Sequence, residues 1–186
     1  MFNFIKKIFK SNIMDKEIFE KAMKGDESIL KLPKERLMIK DKLGWTPIHW
    51  LAREGVKEVL DLDKELLMIK DNDGCTPVHW LAVRGIKEIL TLPKYLLIIK
   101  NMWGCTPIHW LSYKGAKEVL KLPKELLIIQ DKDGCTPIHY LAIKGVKEIL
   151  GLDKELLSIK NNYGSIPVYL LAGRGVKIPE ELKDLI

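Results

Sequence analysis

The sequence predicts an all-α solenoid of stacked helix-turn-helix repeats joined by short β-hairpin-like turns. Three observations carry this. First, Asp41–Lys70, Asp71–Lys100, Asn101–Gln130 and Asp131–Lys160 are four ungapped copies of one 30-residue unit. Second, each copy opens on turn chemistry, enters a helix at Thr-Pro and stops at a second glycine. Third, a unit this short cannot bury its apolar face alone, so neighbours must stack to build a core. A stack offers a long graded surface rather than one cleft, which favours binding over catalysis.

The copy Asp131–Lys160 shows the grammar. Asp131-Lys-Asp-Gly134 is a turn, with Gly134 free to take positive φ. Thr136 caps the orphan N–H groups of the first helix, and Pro137 fits its first position. Ile138, Tyr140, Leu141 and Ala142 supply its buried stripe, and Gly145 ends it with a left-handed residue. Val146–Leu150 reads as a second short helix, with Val146, Ile149 and Leu150 at helical spacing. Asp153 is expected to cap a further turn over Lys154–Leu157; Pro93 and Pro123 hold that slot in two other copies.

The ends differ from the middle. Residues 14–40 keep Ala22 and Gly25 in register but lack the turn and Thr-Pro, and they read as a polar N-terminal capping repeat. Residues 161–186 read as a degenerate last repeat with a closing helix from Pro179, its acids in the first turn. Capped ends argue against filament growth, so a monomer is expected. Residues 1–13 are a leader. On a helical wheel Phe2, Phe4, Ile5, Ile8 and Phe9 share one arc, and Asn3, Lys6, Lys7 and Lys10 take the rest. This basic amphipathic pattern makes weak membrane-surface contact by residues 1–10 the alternative function, that of a peripheral adaptor. Docking over the cap, or an unstructured leader with Met14 as the start, are the plainer readings.

Composition narrows the classes further. The net charge is +6, and residues 1–40, with 10 basic and 6 acidic side chains, hold most of it. The array body is nearly balanced, so no basic stripe for nucleic acid is expected. No apolar run has membrane-spanning length, and no secretory signal pattern opens the chain. The three cysteines, Cys75, Cys105 and Cys135, share one repeat position. Stacking spaces them about 8–10 Å apart, too far for a disulfide. Free thiols suit a reducing compartment, and a cytoplasmic location is expected.

The tetrads Thr46–His49, Thr76–His79, Thr106–His109 and Thr136–His139 read TPIH or TPVH. With the Asp-x-x-Gly-x before them and the glycine six residues after the His, they resemble the TPLH signature of ankyrin repeats over residues 41–175. The resemblance implies that Thr46, His49, Thr76, His79, Thr106, His109, Thr136 and His139 are structural, bonding locally and tying neighbouring hairpins together. It also implies partner binding through hairpin tips and the exposed side of the first helix, on a concave face. Mapped onto this chain, that face holds Leu43, Trp45, Arg53, Asp73, Val83, Arg84, Met102, Trp103, Tyr113, Lys114, Asp133, Ile143 and Tyr163. Nothing in folding requires large apolar side chains at solvent-facing tip and helix positions, so Leu43, Trp45, Met102, Trp103, Tyr113 and Tyr163 mark an interaction patch for a partner protein. Three departures stand out. The period is 30 rather than about 33. The missing residues fall after the second helix. Leu51, Leu81, Leu111 and Leu141 replace the usual Ala.

Other chemistry is weaker in this sequence. Cys-x-x-x-His recurs at Cys75/His79, Cys105/His109 and Cys135/His139, but a ladder of equivalent positions does not converge on a tetrahedral metal. A cysteine nucleophile needs a positioned base, and three identical copies look like repetition. No cofactor, metal or enzymatic activity is expected. The row Trp50, Trp80, Trp110 and Tyr140 fits core packing better than a base-stacking platform. Lys57, Lys87, Lys117, Lys147 and Lys177 run beside Glu58, Glu88, Glu118 and Glu148, the mark of a solvated face.

Overall fold

The computed structural model describes residues 13–186; the amphipathic stretch at residues 1–10 lies outside them. Six principal helices stack in chain order: α1 (Ile13–Ala22), α2 (Pro47–Glu54), α3 (Pro77–Arg84), α4 (Pro107–Tyr113), α5 (Pro137–Ile143) and α6 (Pro167–Ala172). Each packs on the next. The protein is a helical repeat array, and no strand occurs among the described residues. Nor, among them, is any helix long and apolar enough to cross a membrane.

The core is one continuous column. Ile48, Leu51 and Ala52 of α2 are fully buried, as are Val78, Leu81 and Ala82 of α3, and the pattern continues through Ile138, Leu141 and Ala142 of α5. In α1, Ile18, Phe19 and Ala22 occupy the same register and are buried, so the cap completes the column. Leu66–Leu67 and Leu126–Leu127 close the other side.

The second half of the repeat departs from the expected second helix. Val146–Leu150 is not an α-helix: a 3-10 turn spans Lys147–Gly151, and its counterparts are Lys57–Asp61, Lys87–Thr91 and Lys117–Lys121. A one-turn α-helix follows, Lys154–Leu157 in this copy. The cause is length. Leu152 is extended, so only a few residues separate it from the glycine stop. A 3-10 turn rises about 2.0 Å per residue against 1.5 for an α-helix and spans that gap with fewer residues. The closing helix is likewise 3-10, over Glu180–Leu185. Asp153 makes no side-chain cap; its extended backbone starts the turn, as Pro93 and Pro123 do.

Between repeats the turns join edge to edge. The N–H of Asn72 donates to Leu43 O at 3.0 Å, Met102 to Asp73 O at 2.8 Å, and Lys132 to Trp103 O at 3.0 Å. This approach leaves no room at Gly104, whose φ is +76° and where a Cβ would lie 2.9 Å from Lys132 N. Gly164 has φ +75° with nothing within 4 Å. Gly164→Ala is therefore expected to cost about 1 kcal/mol, the left-handed penalty alone. Gly104→Ala is expected to cost about 3 kcal/mol, because an inter-repeat hydrogen bond is also displaced. Urea midpoints of the two variants check this; equal losses would contradict it.

Charged side chains lace the exterior. Lys87 meets Glu118 at 2.6 Å, Lys117 meets Glu148 at 3.0 Å and Arg84 meets Glu54 at 3.2 Å. Within the lysine and glutamate rows, Lys87–Glu118 and Lys117–Glu148 thus pair across repeats on a solvated face. Exposed pairs of this kind add little stability.

Candidate functional site

The Thr-Pro-x-His tetrads set the geometry that any surface must be built on. Thr46 N–H donates to His49 Nδ1 at 3.1 Å, and the Thr46 hydroxyl lies 2.8 Å from the same nitrogen. His49 Nε2 lies 3.2 Å from Cys75 O in the next repeat. A backbone N–H only donates and a carbonyl only accepts. The proton must therefore sit on Nε2, and the ring is neutral. His79 repeats the arrangement to Cys105 O at 3.2 Å, His109 to Ile129 O and Cys135 O, and His139 to Ser165 O at 3.1 Å. All four rings are completely buried. Burial pushes His49, His79 and His109 down to about 4 and also lowers His139.

A second bracket fixes the tips. Asp41 Oδ1 accepts from Leu43 N and Trp45 N, while Oδ2 accepts from Trp50 Nε1 at 3.0 Å. Asp71 does the same with Trp80 Nε1 at 3.2 Å, and Asp131 with the Tyr140 hydroxyl at 2.6 Å. The third repeat breaks the pattern. Asn101 Oδ1 accepts from Trp103 N and Cys105 N, which turns its amide nitrogen away to Cys75 Sγ. Trp110 Nε1 is left buried without a partner. Removing a bonded donor costs more than removing an orphan. Trp80→Phe is expected to destabilise by about 1–2 kcal/mol more than Trp110→Phe, read from paired chemical melts; equal losses would mean that Trp110 Nε1 is satisfied in solution.

The thiols are buried and unpaired in disulfides. Burial pushes Cys75 and Cys105 up to about 12 and raises Cys135. The reactive thiolate is thus disfavoured at neutral pH. Among the described residues, no three His, Cys, Asp or Glu side chains are placed to hold a metal ion.

Most of the residues assigned to the binding face are exposed: Leu43, Arg53, Asp73, Arg84, Met102, Trp103, Tyr113, Lys114, Asp133 and Tyr163. Val83 and Ile143 are half-buried. Trp45 is a correction: it is buried at 8% exposure, so it is not a free surface residue. Its ring stands between Trp50 and Trp80, with centroids 4.5 and 4.3 Å away. An apolar tip residue beside a row of tryptophans is better buried among them than in water.

The tips and the first helices do meet in grooves. Asp73, Cys75, Trp80, Val83, Trp103 and Trp110 line a cavity of about 180 Å³ between the second and third repeats. Trp103, Trp110, Asp131, Asp133 and Tyr140 line a shallower one beside it. Trp103 belongs to both. Tyr113 meets Tyr140 edge-on at 6.1 Å, and Lys144 Nζ lies 3.9 Å above the Tyr113 ring. Arg53 sits over Trp45 and Trp50 at 5.8 and 5.2 Å. Arg84 turns away to Glu54 and the Arg53 carbonyl, and the Tyr163 hydroxyl bonds Asp133 at 3.2 Å.

Sequence reasoning missed two features. Trp80 and Trp110 are cavity walls as well as packing residues; the signal was the change from Trp45 to Cys75 at one register position. An exposed apolar row, Met38, Met68, Ile98 and Ile128, also went unread. It repeats every 30 residues and was visible as a period.

No protein-family model matches the chain, and no curated protein matches it.

Proposed function

We propose that this protein is a non-catalytic binding module of the ankyrin type that holds a partner protein on the face made by its hairpin tips and first helices. The observation that carries the proposal is the exposure of Met102, Trp103 and Tyr113, with Trp103 lining both preformed grooves and Tyr113 packed on the groove residues Trp110 and Tyr140. Aromatic and methionine side chains are enriched where proteins meet, and a rigid face loses little entropy on binding. The ankyrin assignment rests on the tetrads, the Nε2–H bridge to the next repeat and the turn-to-turn hydrogen bonds. The shortened second half, a 3-10 turn and a single α turn, is this chain's departure from that pattern.

The same reading puts the protein in the cytoplasm as a monomer, with no cofactor and no nucleic-acid partner. Its support is the three free buried thiols and the paired exterior charges.

The test replaces Met102, Trp103 and Tyr113 together by Ala. All three are about half exposed, so folding is expected to persist. Partner affinity is expected to fall at least about 100-fold, the range of a lost hot spot. The partner is identified by capture from native-host lysate on the wild-type protein, and its affinity is then measured by titration. Unchanged affinity in the folded triple variant would end the proposal.

A further inference from the structure

The cavity between the second and third repeats has the outline of a residue that the first repeat supplies for itself. Trp45 is surrounded by His49, Trp50, Trp80 and the guanidinium of Arg53. Thirty residues on, these positions are His79, Trp80, Trp110 and Val83. All four line the cavity, and Cys75 stands where Trp45 stood. The walls that enclose an indole in the first gap are therefore present in the second, and the indole is absent. The seat that Arg53 takes over the rings is also lost, because Val83 is short and uncharged. In its place the exposed carboxylate of Asp73 stands in the cavity lining, and Trp103 extends the aromatic wall outward.

We propose that this gap receives an aromatic side chain of indole size, flanked by a basic residue, from a partner polypeptide. The inference rests on the protein-binding reading above and names the anchor which that surface takes. Size and wall chemistry select the ring. An aromatic ring between two tryptophans gains offset and edge contacts beyond its buried area. Charge selects the neighbour. A partner Arg or Lys beside the ring meets Asp73 and the outer faces of the tryptophans, as Arg53 meets Trp45 and Trp50 within this chain. Of the other two gaps with a cysteine in the slot, the one at Cys135 has Leu170 in place of the second ring, and the one at Cys105 is the shallower groove, with Tyr140 in place of a tryptophan. There Tyr113 stands at the Arg53 position and packs on Trp110 and Tyr140.

The experiment uses the full chain, labelled with nitrogen-15, and follows its five tryptophan indole N–H signals. The unlabelled probes are the peptides acetyl-Gly-Trp-Arg-Gly-amide, acetyl-Gly-Leu-Arg-Gly-amide and acetyl-Gly-trimethyllysine-Gly-amide. The Trp-Arg peptide is expected to shift the Trp80, Trp103 and Trp110 signals saturably, and to bind at least about tenfold more tightly than the other two. Cys75→Trp copies the first repeat into the second and fills the slot from within. It is expected to abolish the shifts while the thermal melt stays cooperative. Val83→Arg tests the site without touching the slot and is expected to weaken the Trp-Arg peptide by about tenfold.

Equal binding of the Trp and Leu peptides would overturn the inference, as would preference for the trimethyllysine peptide. Shifts that persist in folded Cys75→Trp would also overturn it. The captured partner separates this failure from failure of the binding face. If the partner binds folded Cys75→Trp as well as wild type but loses the Met102/Trp103/Tyr113 variant, the face stands and the anchor falls.

Discussion

Acidification from about pH 7 to about pH 4 is expected to remove on the order of 10 kcal/mol of stability and to unfold the array at moderate or no denaturant. His49, His79 and His109 titrate near 6.5 when unfolded and about 4 when folded. The folded pKa is depressed, so the folded state binds fewer protons between these values. The contribution is complete above about 6.5 and drains away as pH falls toward 4. Each group is worth about 3 kcal/mol over that interval. The geometry gives the reason. A proton added at Nδ1 would face the Thr N–H that now donates to it. Desolvation of the charged ring adds to the cost.

Asp71 works in the opposite direction, since burial raises its pKa and its carboxylate becomes easier to bury on acidification. One buried carboxyl does not offset three buried imidazoles. Urea midpoints measured by circular dichroism across this pH range check the prediction, repeated in high salt to screen general charge repulsion. A midpoint that stays level from neutral pH to about 4.5 would show that the rings titrate normally. Nitrogen-15 shifts of the imidazoles should report the Nε2–H form at neutral pH.

Trp45→Ala is expected to cost about 3–5 kcal/mol, while Trp103→Ala costs under about 1 kcal/mol. Trp45 is 8% exposed and Trp103 is 47% exposed. Truncating Trp45 opens the first gap to the state the second gap already has, but without losing the surrounding rings. It also removes one of the two rings beneath Arg53. A fall in melting temperature on the order of 10 °C for Trp45→Ala alone would agree with this. A larger loss for Trp103→Ala would mean that the tip of the third repeat is the better-packed one. Because repeats couple to their neighbours, the loss should begin at the N-terminal end. Hydrogen exchange in α2 would show it.

Most of the repeat was legible because its signals are local. Gly44 and Gly134 take positive φ where the turns demand it, and Thr-Pro starts each first helix. The buried positions of that helix follow from a period of 3.6. The second half was misread because Val146, Ile149 and Leu150 fit one helical turn and one 3-10 turn equally well. Only the extended residue at Leu152 and the stacking distance to the next repeat choose between them. The orphan of Trp110 could not be read from Asn101 alone. It depends on which way the amide turns, and two backbone N–H groups decide that.

The sequence by itself determined the repeat, its period, its glycine stops and the helical column, because each depends on residues close together in the chain. The tertiary structure decided which tip residues face water. Trp45 and Trp103 stand two register positions apart in their tips: the position of Trp45 is buried in every copy, as Cys75, Cys105 and Cys135, and that of Trp103 is exposed in every copy, as Leu43, Asp73 and Asp133. That outcome depends on which tip position the stacking of the next repeat encloses. It is settled by contact across 30 residues, where burial of apolar area outweighs local preference.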